Sequence, residues 1–143
     1  MKSIIFICLG NICRSPLAEG IAKAKAKELG LNIKIASAGL SHYHNGEAPC
    51  MVSQDLAREH GIDISNYISK HFSQFNLHSF NLIIAMDSSN YKELKSMGLK
   101  NIKLLGDYGF NSKDVADLYY EPYKRDEVYN MIDIATSKIL STL

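Results

Sequence analysis

Residues 3–16, which read Ser-Ile-Ile-Phe-Ile-Cys-Leu-Gly-Asn-Ile-Cys-Arg-Ser-Pro, decide the fold of this chain. Residues 3–7 are a short, continuous apolar run, which is typical of a strand buried on both faces. Residues 8–15 follow as a tight loop. Ser15 is a good N-cap and Pro16 suits the first position of a helix. The stretch therefore predicts a strand, a loop and a helix start, with the loop at the strand end where parallel sheets bind ligands.

The remaining chain alternates between strand and helix patterns. Strands are predicted at 33–38, 80–86 and 102–105, and helices at 15–30, 50–60, 87–97 and 124–140. Two segments, 62–74 and 106–123, show no clear period and are predicted to be largely irregular. This order predicts one three-layer α/β/α domain over 1–143, with a four-stranded parallel sheet and a phosphate-binding loop between strand 1 and helix 1.

Charge and hydropathy exclude several classes of partner. The 16 Lys and Arg nearly balance the 15 Asp and Glu, so the sequence has no basic footprint for nucleic acid or for a membrane surface. The apolar run at 4–9 is too short to span a membrane, and the nearby polar residues argue against a signal peptide. We therefore expect a cytoplasmic monomer that binds neither nucleic acid nor membranes.

The loop pairs Cys8 with Arg14, six positions later. A backbone that curls between them can point its N–H groups at an anion, while Arg14 presents two parallel donors to phosphoryl oxygens. A helix N-terminus, these amides, Arg14 and the Ser15 hydroxyl favour the thiolate of Cys8. Gly10 and Asn11 tolerate the positive φ that such a turn requires. A nucleotide triphosphate loop would instead end in Gly-Lys-Ser or Gly-Lys-Thr.

Four separated segments resemble the low-molecular-weight protein tyrosine phosphatase family. They are 8–16, Ser-Ala-Gly at 37–39, Ala-Met-Asp at 85–87 and Asp-Leu-Tyr-Tyr at 117–120. The resemblance covers nearly the whole chain. It implies a phosphatase without metal or cofactor, on a four-stranded parallel sheet, that acts through a phosphocysteine intermediate. Its substrate would be a phosphotyrosine-containing protein or a small aryl phosphate.

The resemblance also implies roles for individual residues. Cys8 would be the nucleophile, Arg14 would bind phosphate, and Asp117 would be the general acid and then the base. Asp114 is the nearest rival, but the tyrosines at 119 and 120 fix the register in favour of Asp117. The residues implied to bind substrate are Leu9, Gly10, Asn11, Ile12, Cys13, Ser15, Tyr43, Tyr119 and Tyr120, with Tyr43 and Tyr119 as aromatic walls. Those implied to support the loop are Asn11, Ser15 and Ser37.

The three cysteines are Cys8, Cys13 and Cys50. Their odd number and the absence of CxxC spacing do not support a secreted disulfide framework or a zinc site, so we expect free thiols. Cys13 lies five positions after Cys8 in one curled loop. A reversible disulfide between these two would silence the nucleophile and protect it from overoxidation.

The sequence departs from the family pattern at three places. Leu118 stands where the family usually has Pro, Cys50 where it commonly has Asp, and Tyr67 where it commonly has a supporting His. Without proline, the loop that carries the acid has more conformational freedom, so we expect altered efficiency rather than lost chemistry. His42 and His44 have no evident third ligand partner and are interpreted as an exposed pocket rim.

Two other functions compete with this interpretation. Arsenate reductases share the fold and the cysteine loop, but they need further cysteines after the third strand, and residues 80–100 contain none. A noncatalytic phosphopeptide-binding module would have no use for a positioned acid such as Asp117. A hydrolase is therefore favoured, and assays of arsenate reduction and of metal-free aryl phosphate turnover distinguish the three.

Overall fold

A computed structural model describes residues 2–143 as an α/β domain. One parallel sheet contains β1 (Lys2–Cys8), β2 (Ile33–Gly39), β3 (Leu82–Ala85) and β4 (Ile102–Leu104) in the order β2-β1-β3-β4. The helices are α1 (Arg14–Glu28), α2 (Met51–Glu59), α3 (Ser88–Ser96) and α4 (Arg125–Ser141). Short 3₁₀ turns lie at Phe72–Gln74, Leu77–Ser79, Leu105–Asp107 and Pro122–Lys124. The predicted fold class and four-stranded parallel sheet are confirmed.

Strand β1 is one of the two inner strands of the sheet and is buried on both faces. Ile4 and Phe6 belong to one core cluster, while Ile5 and Ile7 belong to the other. This alternation follows from the two-residue repeat of a strand. Helices α1, α2 and α4 contribute their apolar residues to the first cluster, and Leu94 of α3 contributes to the second. The sheet thus has helices on both faces, which makes the three predicted layers.

The strand order creates a crevice at the carboxyl end of β1. Because β1 has β2 on one side and β3 on the other, the connections that leave these strands diverge there. Cys8 pairs with Gly39 in register, and Ile7 pairs with Ala85, so the three strands end at one edge. The irregular segment before α4 reaches the same edge, where Val115 N donates to the carbonyl oxygen of Met86 at 2.9 Å.

The start of α1 differs from the prediction. The helix begins at Arg14, so Ser15 lies inside its first turn and Cys13 occupies the preceding position, which corrects the predicted Ser15 N-cap. The Ser15 hydroxyl instead lies 3.0 Å from Cys8 Sγ inside the loop. Along the part of the chain that the structure describes, no helix combines the length and apolar character needed to cross a membrane.

Candidate active site

The carbonyl groups of the loop after β1 point away from its centre. Five of them accept hydrogen bonds from surrounding segments: Leu40 N to Cys8 O at 3.0 Å, Ser41 N to Leu9 O at 2.9 Å, Ser69 Oγ to Gly10 O at 2.8 Å, Cys50 N to Ile12 O at 2.6 Å and Ser53 Oγ to Cys13 O at 2.8 Å. In a trans peptide the following N–H points opposite to the carbonyl. The outward carbonyls therefore turn the amides inward and form a concave anion site.

Cys8 lies at the base of this concave site. It is 3% exposed and is the free cysteine of the chain. Its sulfur accepts a hydrogen bond from Asn11 N at 3.2 Å and lies 3.0 Å from Ser15 Oγ. The Ser15 oxygen itself accepts from Asn11 Nδ2 at 2.8 Å, which leaves the hydroxyl hydrogen available to the sulfur. Both contacts stabilise negative charge on Cys8.

Asn11 holds the loop in its turn. Its φ of 56° is in the left-handed region, as the residue type allows, whereas Gly10 does not adopt a positive φ. The Asn11 side chain donates to Ser15 Oγ at 2.8 Å and to Ser37 Oγ at 2.9 Å, and accepts from Lys70 N at 2.9 Å. The three residues predicted to support the loop are therefore brought together around this buried amide.

Glu19 extends this network and was missed by the sequence analysis. Ser37 Oγ donates to Glu19 Oε1 at 2.6 Å, and Lys23 Nζ lies 2.6 Å from Glu19 Oε2. In the sequence, Glu19 looks like an ordinary residue on the solvated face of a helix. The available signal was its position one turn after Ser15, which places both side chains on the same side of α1.

Gly39 allows β2 to approach the loop closely. A Cβ atom at this position would lie 3.0 Å from the carbonyl oxygen of Leu9 and 3.1 Å from the carbonyl carbon of Gly10. Both contacts are with backbone that cannot move without distorting the loop. A larger residue at the glycine of the Ser-Ala-Gly segment would therefore press on the loop backbone.

Arg14 is buried and faces three acceptors. Nη1 donates to Asp87 Oδ2 at 2.7 Å and to Val115 O at 3.1 Å, and Nη2 lies 3.4 Å from Asp117 Oδ2. Burial lowers the pKa of Arg14, but the negative charge of Cys8, the hydrogen bond to Asp87 and the charges of Asp117 and Asp87 raise this pKa by more. The guanidinium therefore remains a cation in a site 3% exposed to solvent.

Asp117 and Asp114 have different surroundings. Asp117 lines the cavity, and its Oδ1 accepts from Tyr119 N at 3.0 Å. Asp114 instead accepts from Ser88 N at 2.9 Å and from Ser88 Oγ at 3.1 Å, and it does not line the cavity. Leu118, which replaces the usual proline, is 1% exposed and packs in the core, so apolar burial restrains the segment between the two aspartates and the tyrosines.

A cavity of about 370 Å³ opens above Cys8. It is lined by Cys8, Leu9, Gly10, Ile12, Cys13, Arg14, Ser41, Tyr43, His44, Asp117, Tyr119 and Tyr120. The tyrosines predicted to bind substrate, Tyr43, Tyr119 and Tyr120, therefore line one cavity. Asn11 and Ser15 are not among the lining residues, because their side chains bond to each other, to Ser37 and to the Cys8 sulfur. Their contact with substrate stays a prediction.

His44 lies between the two walls. Its ring centroid is 4.6 Å from that of Tyr43 and 5.7 Å from that of Tyr119, and its Nδ1 lies 3.1 Å from Glu47 Oε2. His42, by contrast, stacks on His71 at 3.5 Å between ring centroids and is not a lining residue. Within residues 2–143, no three or more His, Cys, Asp or Glu side chains are grouped so that they could hold a metal ion.

Tyr67 does not take part in the Asn11 network. It packs at the edge of the core with Lys23 Nζ 5.1 Å from its ring centroid, and the backbone of Lys70 supplies the bond to the Asn11 oxygen. Burial, followed by the charges of Glu19 and Asp63, raises the pKa of Tyr67 to about 12.

The cysteine pairing differs from the prediction. Cys13 is bonded to Cys50, not to Cys8, and only Cys8 is free. The reason is tertiary: Cys50 N and Ser53 Oγ donate to the loop carbonyls, which brings the Cys13 and Cys50 Cα atoms to 5.3 Å, a normal separation for a disulfide. The expectation of three free thiols is corrected, whereas a Cys8–Cys13 bond formed when Cys8 is oxidised stays a prediction.

Comparisons with known proteins agree with this geometry. The family model for low molecular weight phosphotyrosine protein phosphatase matches residues 3–143. The chain is 40% identical over 151 residues to the low molecular weight protein-tyrosine-phosphatase YfkJ of Bacillus subtilis, covering 100% of this chain and 96% of the relative. It is 36% identical over 137 residues to PtpA of Staphylococcus aureus, covering 92% and 87%.

Two solved structures share the fold of this chain. The crystal structure of YfkJ superposes with a TM-score of 0.92 at 39% identity, covering 99% of this chain and 94% of that one. The crystal structure of a Drosophila arginine phosphatase superposes with a TM-score of 0.88 at 30% identity, covering 99% and 97%.

Proposed function

Because the chain belongs to the low-molecular-weight protein tyrosine phosphatase family, we propose that it hydrolyses aryl phosphate monoesters such as phosphotyrosine through a phosphocysteine intermediate on Cys8. The observation that carries this proposal is the convergence of Cys8, Arg14 and Asp117 on one cavity. A nucleophile, a phosphate-binding cation and a proton donor are what this reaction requires.

In the first step, Cys8 Sγ attacks phosphorus while the inward amides and Arg14 bind the phosphoryl oxygens. Fixed donors at these oxygens stabilise the charge of the transition state without reorganisation. The phosphate takes over the guanidinium edge that Asp117 contacts at 3.4 Å. Asp117, in its neutral form, then protonates the phenolic oxygen as the P–O bond breaks.

In the second step, the aryl alcohol leaves and water takes its place. Asp117, now a carboxylate, accepts a proton from this water as the water oxygen attacks phosphorus and the P–S bond breaks. Phosphate is released and Cys8 returns as a thiolate, which Ser15 and the Asn11 amide stabilise. The same carboxyl thus acts as acid and then as base.

The aromatic walls of the cavity are suited to an aryl substrate. Tyr43 and Tyr119 present flat apolar faces to the opening, with His44 between them, and a phenyl ring can stack in such a slot. Tyr43 and Tyr120 are 81% and 74% exposed, so they can contact the residues around a phosphotyrosine in a protein. We infer that these residues determine the preference for the alcohol part of the ester.

The test is the turnover of para-nitrophenyl phosphate and of a phosphotyrosine peptide in the presence of a metal chelator. We expect turnover by the wild type, none by Cys8→Ser, and a covalent phosphate on Cys8 in acid-quenched samples. Turnover that survives Cys8→Ser, or that requires added metal, would overturn the mechanism.

Parallel assays separate the alternatives. Arsenate reduction without aryl phosphatase activity would favour a reductase, and phosphate binding without turnover would favour a binding module. A phosphoarginine peptide belongs in the same comparison, because one structural neighbour is named an arginine phosphatase. Faster turnover of phosphoarginine than of phosphotyrosine would contradict the proposed substrate class.

A further inference from the structure

We propose that Cys50 is a resolving thiol that returns peroxide-oxidised Cys8 to its active form by moving the disulfide to the Cys13–Cys50 pair. This inference rests on the proposed function, because it treats Cys8 as the reactive thiol. It starts from an observation: Cys13, which lines the cavity with Cys8, is bonded to Cys50, and Cys8 is free.

Two hydrogen bonds hold Cys50 beside the loop independently of the disulfide. Cys50 N donates to Ile12 O at 2.6 Å, and Ser53 Oγ donates to Cys13 O at 2.8 Å. These bonds flank the cysteine pair and keep the two Cα atoms 5.3 Å apart. The reduced Cys50 thiol therefore stays within reach of Cys13.

Cys50 is also in a suitable environment for a nucleophile. It immediately precedes α2, whose first turn has no side-chain cap, so the free amides of the helix favour a thiolate there. It is only partly buried, whereas Cys13 and Cys8 are each 3% exposed. Cys13 is thus the buried partner of the disulfide, and Cys50 is the more accessible one.

The reaction has three balanced steps. Hydrogen peroxide oxidises the Cys8 thiolate to a sulfenic acid, and the other peroxide oxygen leaves as water after protonation. The Cys13 thiolate attacks the Cys8 sulfur, an S–S bond forms, and the sulfenic oxygen leaves as a second water. The Cys50 thiolate then attacks the Cys13 sulfur, which forms Cys13–Cys50 and expels the Cys8 thiolate. Overall, two thiols and one peroxide give one disulfide and two waters.

The direction of the last step follows from the loop. Thiol exchange proceeds fastest when the leaving thiolate is well stabilised. Cys8 accepts the Asn11 amide at 3.2 Å, lies 3.0 Å from Ser15 Oγ and shares its site with the Arg14 cation. Attack on Cys13 therefore releases the best leaving group available and regenerates the catalytic thiol.

The chain with the Cys13–Cys50 disulfide keeps a complete site. In this state Cys8 retains both donors, Arg14 retains Asp87, and Asp117 lines the cavity. We therefore expect the oxidised wild type to remain an active phosphatase. A second oxidation would find no resolving thiol, because Cys13 is already bonded, and Cys8 would then proceed to irreversible sulfinic acid.

The experiment uses fully reduced, desalted enzyme treated with one equivalent of hydrogen peroxide, followed by catalase and no added thiol. Activity on para-nitrophenyl phosphate and the disulfides found by peptide mass spectrometry are followed with time. In the wild type we expect activity to recover with a Cys13–Cys50 bond. In Cys50→Ser we expect activity to stay lost until a reductant is added, with a Cys8–Cys13 bond.

Two controls keep the test decisive. The melting temperature and the reduced-state activity of Cys50→Ser must match those of the wild type, and Cys50→Ala is used if serine disturbs α2. Equal recovery of wild type and variant without reductant, or a stable Cys8–Cys13 bond in the wild type, would overturn the proposal. If reduced wild type hydrolysed no aryl phosphate, or did so without Cys8, the proposed function would fail instead.

Discussion

Arg14 Nη1 lies 2.7 Å from Asp87 Oδ2, and this contact joins the phosphate loop to the start of α3. The other Asp87 oxygen accepts from Asn90 N at 2.8 Å, so one carboxylate both caps the helix and orients the guanidinium. The same Arg14 nitrogen also donates a hydrogen bond to Val115 O. These contacts hold the Arg14 side chain in place before phosphate binds. Such preorganisation lowers the cost of binding the transition state.

We predict that Asp87→Asn weakens phosphate binding while keeping the helix cap. The amide oxygen of asparagine can still accept from Asn90 N, but the charge opposite Arg14 is lost. We expect kcat/KM for para-nitrophenyl phosphate to fall about 10-fold, and the free energy of unfolding to fall by about 2 kcal/mol. Steady-state kinetics and urea unfolding measure the two effects. Asp114→Asn is the matched control, and equal behaviour of both variants would contradict the role of Asp87.

Asp117→Asn tests the general acid. Removing a positioned proton donor lowers kcat by about 10²- to 10⁴-fold. The loss should be larger for a phosphotyrosine peptide than for para-nitrophenyl phosphate, because the nitrophenolate leaves readily without a proton. The alkaline fall of kcat that comes from ionisation of the acid should also disappear. An equal loss on both substrates, with an unchanged pH profile, would assign the proton transfer to another group.

Ser37→Ala tests the support behind the loop. The change removes the Ser37 hydroxyl, which accepts a hydrogen bond from Asn11 Nδ2 and donates one to Glu19 Oε1 at 2.6 Å. Both partners are largely buried. We expect the free energy of unfolding to fall by about 1–2 kcal/mol, together with kcat. Ser37→Thr keeps the hydroxyl and should restore most of the activity. The exposed Ser96, changed to Ala, is the control, and it should leave both quantities unchanged.

The raised pKa of Tyr67 predicts how the stability of the fold changes at alkaline pH. Its pKa is about 12 in the folded chain and 10.0 in its ordinary state, so the folded chain binds the phenolic proton more tightly. This contribution to stability is complete below pH 10.0 and is lost as the pH rises towards about 12. Tyr67→Phe should therefore lose less stability over this window than the wild type, as measured by urea unfolding at each pH. The exposed Tyr123, changed to Phe, should behave as the wild type.

Local patterns were sufficient for much of the fold. Each predicted strand and helix is present, with its ends displaced by at most two residues, because buried strands and amphipathic helices carry strong short-range signals. The prediction of Ser15 as the N-cap was wrong. A serine before a proline fits an N-cap equally well whether or not its hydroxyl has a hydrogen-bond partner elsewhere. Here Cys8 and Asn11 supply that partner.

Local sequence was sufficient to predict the strand, the phosphate loop and the pairing of Cys8 with Arg14, because these lie within a few residues of one another and each residue type has a specific chemical use. Three long-range contacts follow from tertiary packing alone: Cys13 bonds to Cys50, 37 positions away, Asp87 orients Arg14, and Glu19 accepts from Ser37. These contacts depend on where separate elements meet at the sheet edge. Local periodicity does not predict these contacts, because they follow from the packing of the whole core.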